Sequence, residues 1–176
     1  MIDARTFPKS LESAREILEK RAVFKGEYLI HDAIFASKNP TETLDKVFLR
    51  LRLIPLNIWN EKDVIVAIKN TEAKEVGKQS VIPMKKEFDT EAEGRKFIEE
   101  NYSDTFTLSY EFDRRGWQYD LGEDQVDLED IEGNFSIEFK SPTEESLKKL
   151  LTNFGVDPKE VIIGPSVVAI KEILGR

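Results

Sequence analysis

Cysteine is absent from the 176 residues, and histidine occurs once, as His31. The first absence excludes disulfides, thiolate zinc sites and cysteine nucleophiles. The second leaves no material for a multi-histidine metal site and little for a Ser-His-Asp triad, so His31 reads as structural. No apolar run approaches the ~20 residues that a membrane-crossing helix needs. The opening Met1-Ile2-Asp3-Ala4-Arg5 lacks a charged-then-apolar signal pattern. A cytoplasmic protein free of the membrane is therefore expected. Positive charge is also in deficit: 26 Lys and Arg stand against 34 Asp and Glu, a net charge of -8. That balance argues against general affinity for nucleic acid or anionic lipid, while leaving room for a focused basic pocket.

What the chain does have is charge placed at strand spacing. Phe48-Leu49-Arg50-Leu51-Arg52-Leu53 puts three leucines on one face and Arg50 and Arg52 on the other. Val64 to Lys69 is an apolar run ending on a lysine, and Leu108 to Tyr119 carries Arg114 and Arg115. Acids alternate in the same way: Asp3 beside Arg5, Asp127 and Glu129 around Leu128, and Ser136 and Glu138 opposite Phe135, Ile137 and Phe139. Strands are predicted at about 2–7, 23–36, 47–53, 64–69, 79–88, 105–112, 116–119, 125–131 and 135–140, many joined by short turn-rich links that favour antiparallel pairing.

Helix signals lie between them. Ser10 is positioned to cap a helix through about Arg21. Thr90-Glu91-Ala92-Glu93 reads as a capping box, and Ser141-Pro142-Thr143-Glu144 as a second one with Pro at the first helical position. Leu147, Leu150, Leu151 and Phe154 then form one apolar stripe before Gly155, and a last helix is expected from Ser166 to Ile173. The reading is a single α+β domain over residues 1–176, with a large antiparallel sheet. Periodicity does not say where the charged faces point. Turned outward they are solvated; curled inward they line a polar interior able to hold a highly charged ligand.

The order of elements and charges resembles the CYTH, or triphosphate tunnel metalloenzyme, family. The residues that carry the likeness are Asp3 and Arg5 on the first strand, Asp32-Ala33-Ile34-Phe35, Leu49-Arg50-Leu51-Arg52, Ala67-Ile68-Lys69 and Lys85-Lys86-Glu87. They continue with Arg114 and Tyr119, Glu129-Asp130-Ile131-Glu132-Gly133, Glu138, and the helix from Ser166. Four positions depart from the pattern: Met1, Lys85 and Ser136 stand where the family has acids, and Gly116 where it has an arginine.

The resemblance implies an antiparallel β-barrel of about eight strands with helices outside. It implies a triphosphate (tripolyphosphate, thiamine triphosphate or ATP) held by Arg5, Arg50, Arg52, Lys69, Lys85 and Arg114. It further implies magnesium or manganese on Asp3, Glu87, Glu129 and Glu138, with Glu87, Glu129 and Glu138 also counted as catalytic. Guanidinium forks suit phosphate oxygens, and metal ions neutralise the charge that builds up in phosphoryl transfer. Three functions follow: a metal-dependent triphosphatase or cyclase, a module that binds nucleotide or polyphosphate without turnover, and a structural protein with a solvated sheet. Monomer and homodimer are both open.

Overall fold

The computed structural model describes residues 1–162 and 166–176. Eight strands run in the order β1 (Ile2–Thr6), β2 (Val23–Ser37), β3 (Val47–Leu56), β4 (Val64–Ala73), β5 (Lys78–Phe88), β6 (Phe106–Leu121), β7 (Asp124–Ile131) and β8 (Asn134–Ser141). Four α-helices are described: α1 (Glu12–Arg21), α2 (Glu91–Tyr102), α3 (Glu144–Asn153) and α4 (Ser166–Ile173). The strands close into a barrel in the order β1-β5-β4-β3-β2-β6-β7-β8, every neighbour antiparallel. Among the described residues no helix is long and apolar enough to cross a membrane.

Period-two alternation gives each strand an outer and an inner face, the outer one apolar on most strands. Outside, Ala4, Val126, Leu128, Ile137 and Phe139 pack under Leu11, Ala14 and Leu18 of α1 and Leu147, Leu150 and Leu151 of α3. On the other flank Ala33, Leu49, Leu51, Val64 and Val66 pack under Ile98 of α2. Inside, two apolar layers bracket a charged middle. One comprises Tyr28, Ile30, Ile54 and Ile65, with Trp59 and Ile58 against it. The other comprises Ile34, Phe48, Tyr110, Phe112 and Ile131. The second layer is completed by Val167 and Ile170 of α4, so this helix stops one end of the barrel while the other three cover its outside.

Several boundaries differ from the sequence expectation. The segments predicted at 105–112 and 116–119 are one sixteen-residue strand, β6. Arg114, Arg115 and Gly116 pair without interruption with Ile30, Leu29 and Tyr28, and the register shifts of this pair lie elsewhere, at Phe24/Gly26 and Ile34/Phe35. The predicted cap of α1 moves too: Leu11 is the N-cap and makes no side-chain cap bond, while Ser10 Oγ accepts the Glu12 N–H at 3.2 Å. For α3 the cap is Thr143, reciprocated by Ser146, rather than Ser141. Ser141 instead ends β8, where its hydroxyl donates to Asp124 Oδ1 at 2.6 Å.

The barrel is closed by little. β1 meets β8 over five residue pairs but meets β5 at the single pair Asp3↔Lys78. Gly77, at φ +80°, precedes this junction, and a Cβ there would sit 2.3 Å from the Asp3 carbonyl oxygen. Only glycine allows both that φ and that approach.

Thr143→Ala is expected to lower stability by about 1 kcal/mol through loss of the N-cap. A urea titration should show a lower midpoint with an unchanged slope; an unchanged midpoint would mean that Ser146 alone holds the start of α3.

Candidate functional site: a charged cavity inside the barrel

The inner faces of all eight strands meet in one cavity of about 150 Å³. Among the described residues it is lined by seven cationic side chains (Arg5, Arg50, Arg52, Lys69, Lys78, Arg114, Lys140) and five carboxylates (Asp3, Asp32, Asp127, Glu129, Glu138). In a chain of net charge -8, this interior therefore carries a formal excess of two positive charges. The charged faces point inward, as the barrel alternative requires.

Most of these groups form one chain of alternating sign. Arg52 donates through Nε and Nη2 to the two oxygens of Asp32, each at 2.8 Å. Arg114 bridges Asp32 Oδ2 at 3.2 Å and Glu129 Oε1 at 3.0 Å. Arg5, with 2% of its side chain exposed, reaches Glu129, the Ser136 hydroxyl, and Glu138 at 2.9 Å. Lys140 closes the series on Glu138 at 3.1 Å and Asp127 at 2.7 Å. Burial opposes these charges, and at most of them the partners prevail, although burial still holds the Asp127 carboxyl above its ordinary value against Lys140. Glu138 is held well below the usual carboxylate range by Lys140 and Arg5, and Asp32 is lowered by Arg52, Arg50 and Arg114. Arg114 is raised by Glu129 and Asp32, and Lys140 by Asp127 and Glu138. Balanced, hydrogen-bonded charge of this kind is the form in which charge survives inside a protein.

The wall made by β3, β4 and β5 is different. Arg50 lies 3.8 Å from Asp32, which is already engaged by Arg52, and its Nε has no hydrogen-bond partner. Among the described residues Lys69 forms no ion pair. The neighbouring Arg50 charge, then burial, pushes the Lys69 ammonium well below its ordinary value, and burial and Arg52 lower Arg50. Thr71 and Ser80 line the cavity beside them. The excess positive charge is thus concentrated on one wall.

Of the residues expected at the site, Asp3, Arg5, Arg50, Arg52, Lys69, Arg114, Glu129 and Glu138 line this one cavity. Lys85 and Glu87 do not. They lie farther along β5, half exposed, where Lys85 pairs with Glu61 at 2.5 Å and Glu87 at 3.5 Å. The β5 residues that line the cavity are Lys78 and Ser80, because β1 meets β5 only at Lys78. Lys78 donates to Ser166 Oγ at 2.7 Å and stands 3.6 Å from Asp3. Sequence reasoning also missed Tyr28, Asp127 and Lys140 as site residues. Asp127 and Lys140 were visible in principle, being two residues from Glu129 and Glu138 on the same faces.

Gly116 has a structural cause. A Cβ there would fall 2.1 Å from Tyr28 Cζ. The Tyr28 ring lies over the glycine and donates its hydroxyl to Glu129 Oε1 at 2.8 Å. A phenol from β2 thus fills the space of the arginine expected on β6 and reaches a carboxylate of the charge chain. Ser136 similarly occupies an acid's place by accepting from Arg5.

The residues present do not fit a divalent metal ion. Such an ion needs several carboxylate or carbonyl oxygens converging at ~2.0–2.6 Å. Among the described residues no group of three or more acidic, histidine or cysteine side chains is so arranged. In the charge chain each carboxylate is separated from the next by a guanidinium or ammonium group, and Glu87 is outside the cavity.

Comparison with solved structures places this fold among known ones. A Pyrococcus horikoshii protein, PH1012, aligns with a TM-score of 0.72 at 16% identity, over 92% of this chain and 93% of that one. A Vibrio parahaemolyticus protein described as a candidate adenylate cyclase aligns with a TM-score of 0.65 at 14% identity, over 99% and 97%. A Hippeastrum candidate adenylyl cyclase, described as having a dominant triphosphatase activity, aligns with a TM-score of 0.58 at 17% identity, over 88% and 87%. The fold is of the CYTH type, as the order of motifs implied. No protein-family model and no curated protein sequence matches the chain.

Two predictions follow from the geometry. Gly116→Ala is expected to destabilise by ~3 kcal/mol or more through collision with Tyr28. In a Tyr28→Ala background the same change should cost far less, and a double-mutant cycle by urea unfolding measures the difference; additive costs would contradict the packing described. Lys69 binds its proton less readily folded than unfolded, so between its depressed value and the ordinary 10.5 the unfolded chain holds more protons and stability rises with pH. Lys69→Met should raise stability at neutral pH and abolish that part of the rise, as read from urea midpoints across pH 7–10.

Proposed function

We propose that the barrel binds the triphosphate group of a small molecule, with Arg50 and Lys69 as its principal contacts and Arg52 and Arg114 beside them. One observation carries this reading: the cationic wall of β3 and β4, where Arg50 Nε has no hydrogen-bond partner and two repelling cations face a cavity. Buried donors of this sort cost free energy until an acceptor arrives. A polyanion with many acceptor oxygens relieves both the missing hydrogen bond and the repulsion. Ordinary solvated strands would give neither feature, so the structural-protein reading is the weaker one. The adenylate cyclase and triphosphatase descriptions of the Vibrio and Hippeastrum relatives agree with a triphosphate ligand.

Binding is the better-supported activity, because the carboxylates that a metal-assisted hydrolysis would draw on are committed to Arg5, Arg114, Lys78 and Lys140. Turnover is a second reading, favoured by the triphosphatase activity ascribed to the Hippeastrum protein. Under either reading the side chains act alike. Arg50 and Lys69 fix phosphate oxygens, and Arg52 and Arg114 are held in place by Asp32.

Tripolyphosphate, thiamine triphosphate and ATP are the ligands to compare, by calorimetry and by phosphate release. Arg50→Ala/Arg52→Ala is expected to weaken binding by at least a hundredfold, since hydrogen bonds to charged groups contribute ~1.5–3 kcal/mol each. Affinity should also fall as pH rises toward 10.5, the ordinary lysine value, because an anionic ligand binds the protonated form of Lys69 more tightly. Equal affinity in the double variant would remove the site from this cavity.

A further inference from the structure

Resting on the triphosphate reading above, we infer that the cavity takes its polyphosphate without a divalent cation, Lys140 and Lys78 serving as built-in counterions for the carboxylates. A polyanion entering a wall of carboxylates is repelled unless their charge is cancelled. Divalent cations can do this, and here side chains do it first. Lys140 sits between Asp127 at 2.7 Å and Glu138 at 3.1 Å. Lys78 stands 3.6 Å from Asp3, on the strand that meets β1. Glu129 is fully engaged, accepting from Arg5, Tyr28 and Arg114.

The energetic consequence runs against the metal. An ion entering between Glu138 and Asp127 would have to displace the Lys140 ammonium, and one between Glu138 and Glu129 the buried Arg5 guanidinium. Displacing Arg5, whose side chain is 2% exposed, would leave a buried guanidinium without its partner, which is strongly destabilising. Asp3 keeps one buried oxygen without a hydrogen-bond partner, but a single carboxylate does not make a magnesium or manganese site. Adding two positive charges to an interior already in excess by two also raises the repulsion that Arg50 and Lys69 experience. A magnesium complex of the ligand fares worse than the free ligand for the same reason, because it brings less negative charge to the cationic wall.

The test is isothermal titration of sodium tripolyphosphate into the intact protein. Buffers are stripped of divalent ions on a chelating resin, since a dissolved polycarboxylate chelator would compete for the same cations. The titration is repeated with millimolar magnesium and with manganese. Binding in stripped buffer, unchanged or weakened by either metal, is the expected result. Binding only with metal overturns the inference while leaving the triphosphate site intact. No binding in any buffer overturns the triphosphate reading and this inference together.

Lys140→Gln supplies an opposite sign. With Asp127 and Glu138 uncovered, two bare carboxylates face the polyanion, so metal-free affinity should drop about tenfold or more, and magnesium should now restore it. Circular dichroism and a thermal melt confirm that the variant is folded. A folded Lys140→Gln protein whose affinity in stripped buffer equals that of the wild type would also overturn the inference.

Discussion

The structure depends on the alternating run of charge that circles the inside of the barrel, from Arg52 through Asp32, Arg114, Glu129, Arg5 and Glu138 to Lys140 and Asp127. A closed sheet has one face turned in on itself, and in this chain that face carries the charged residues. Desolvating them singly would cost more than folding gains. Arranged so that each cation lies against at least one acid, they become tolerable, and most strands are left with an apolar outer face that must be covered. α1, α2 and α3 cover it, while apolar layers inside separate the charges from the barrel ends. The position of the helices is in this sense a result of where the arginines point.

The balance is local rather than complete. β1, β2, β6, β7 and β8 contribute charges that find close partners within the wall; on β3 and β4 Arg50 has only a long contact to Asp32, at 3.8 Å, and among the described residues Lys69 forms no ion pair. A molecule built only for stability would gain from replacing these two. Under the proposed function a ligand, rather than another side chain, completes their contacts, which separates groups that hold the fold from groups held ready by it.

Much of the architecture was legible in the sequence. Alternation along Leu49 to Leu53 and around Leu128 and Ile137 predicts both strands and faces, and the order of motifs supplies the inward sense that alternation alone leaves open. The errors have physical causes. Gly116 looked like a break and a lost arginine because its partner, Tyr28, is 88 positions away and visible only through the register of β2 and β6. Lys85 and Glu87 were placed at the site because their spacing fits an acidic-strand motif. Which end of β5 lines the cavity is decided by the pairing of Lys78 with Asp3, a contact between distant strands. Ser141 resembled a cap because Thr143, two residues on, offers the same chemistry, and the length of β8 selects between them.

The near-complete burial of Arg5 on the first strand has a consequence for how the molecule comes to exist. Its carboxylate partners follow 124 and 133 positions later, on the last two strands. A nascent chain leaving the ribosome therefore carries an arginine-bearing strand that has no place to go until most of the sheet has been made. Contacts of such long sequence separation fold slowly, since loop closure must precede any gain from pairing. Closing this barrel requires its eighth strand to return to its first, which is expected to make folding slow.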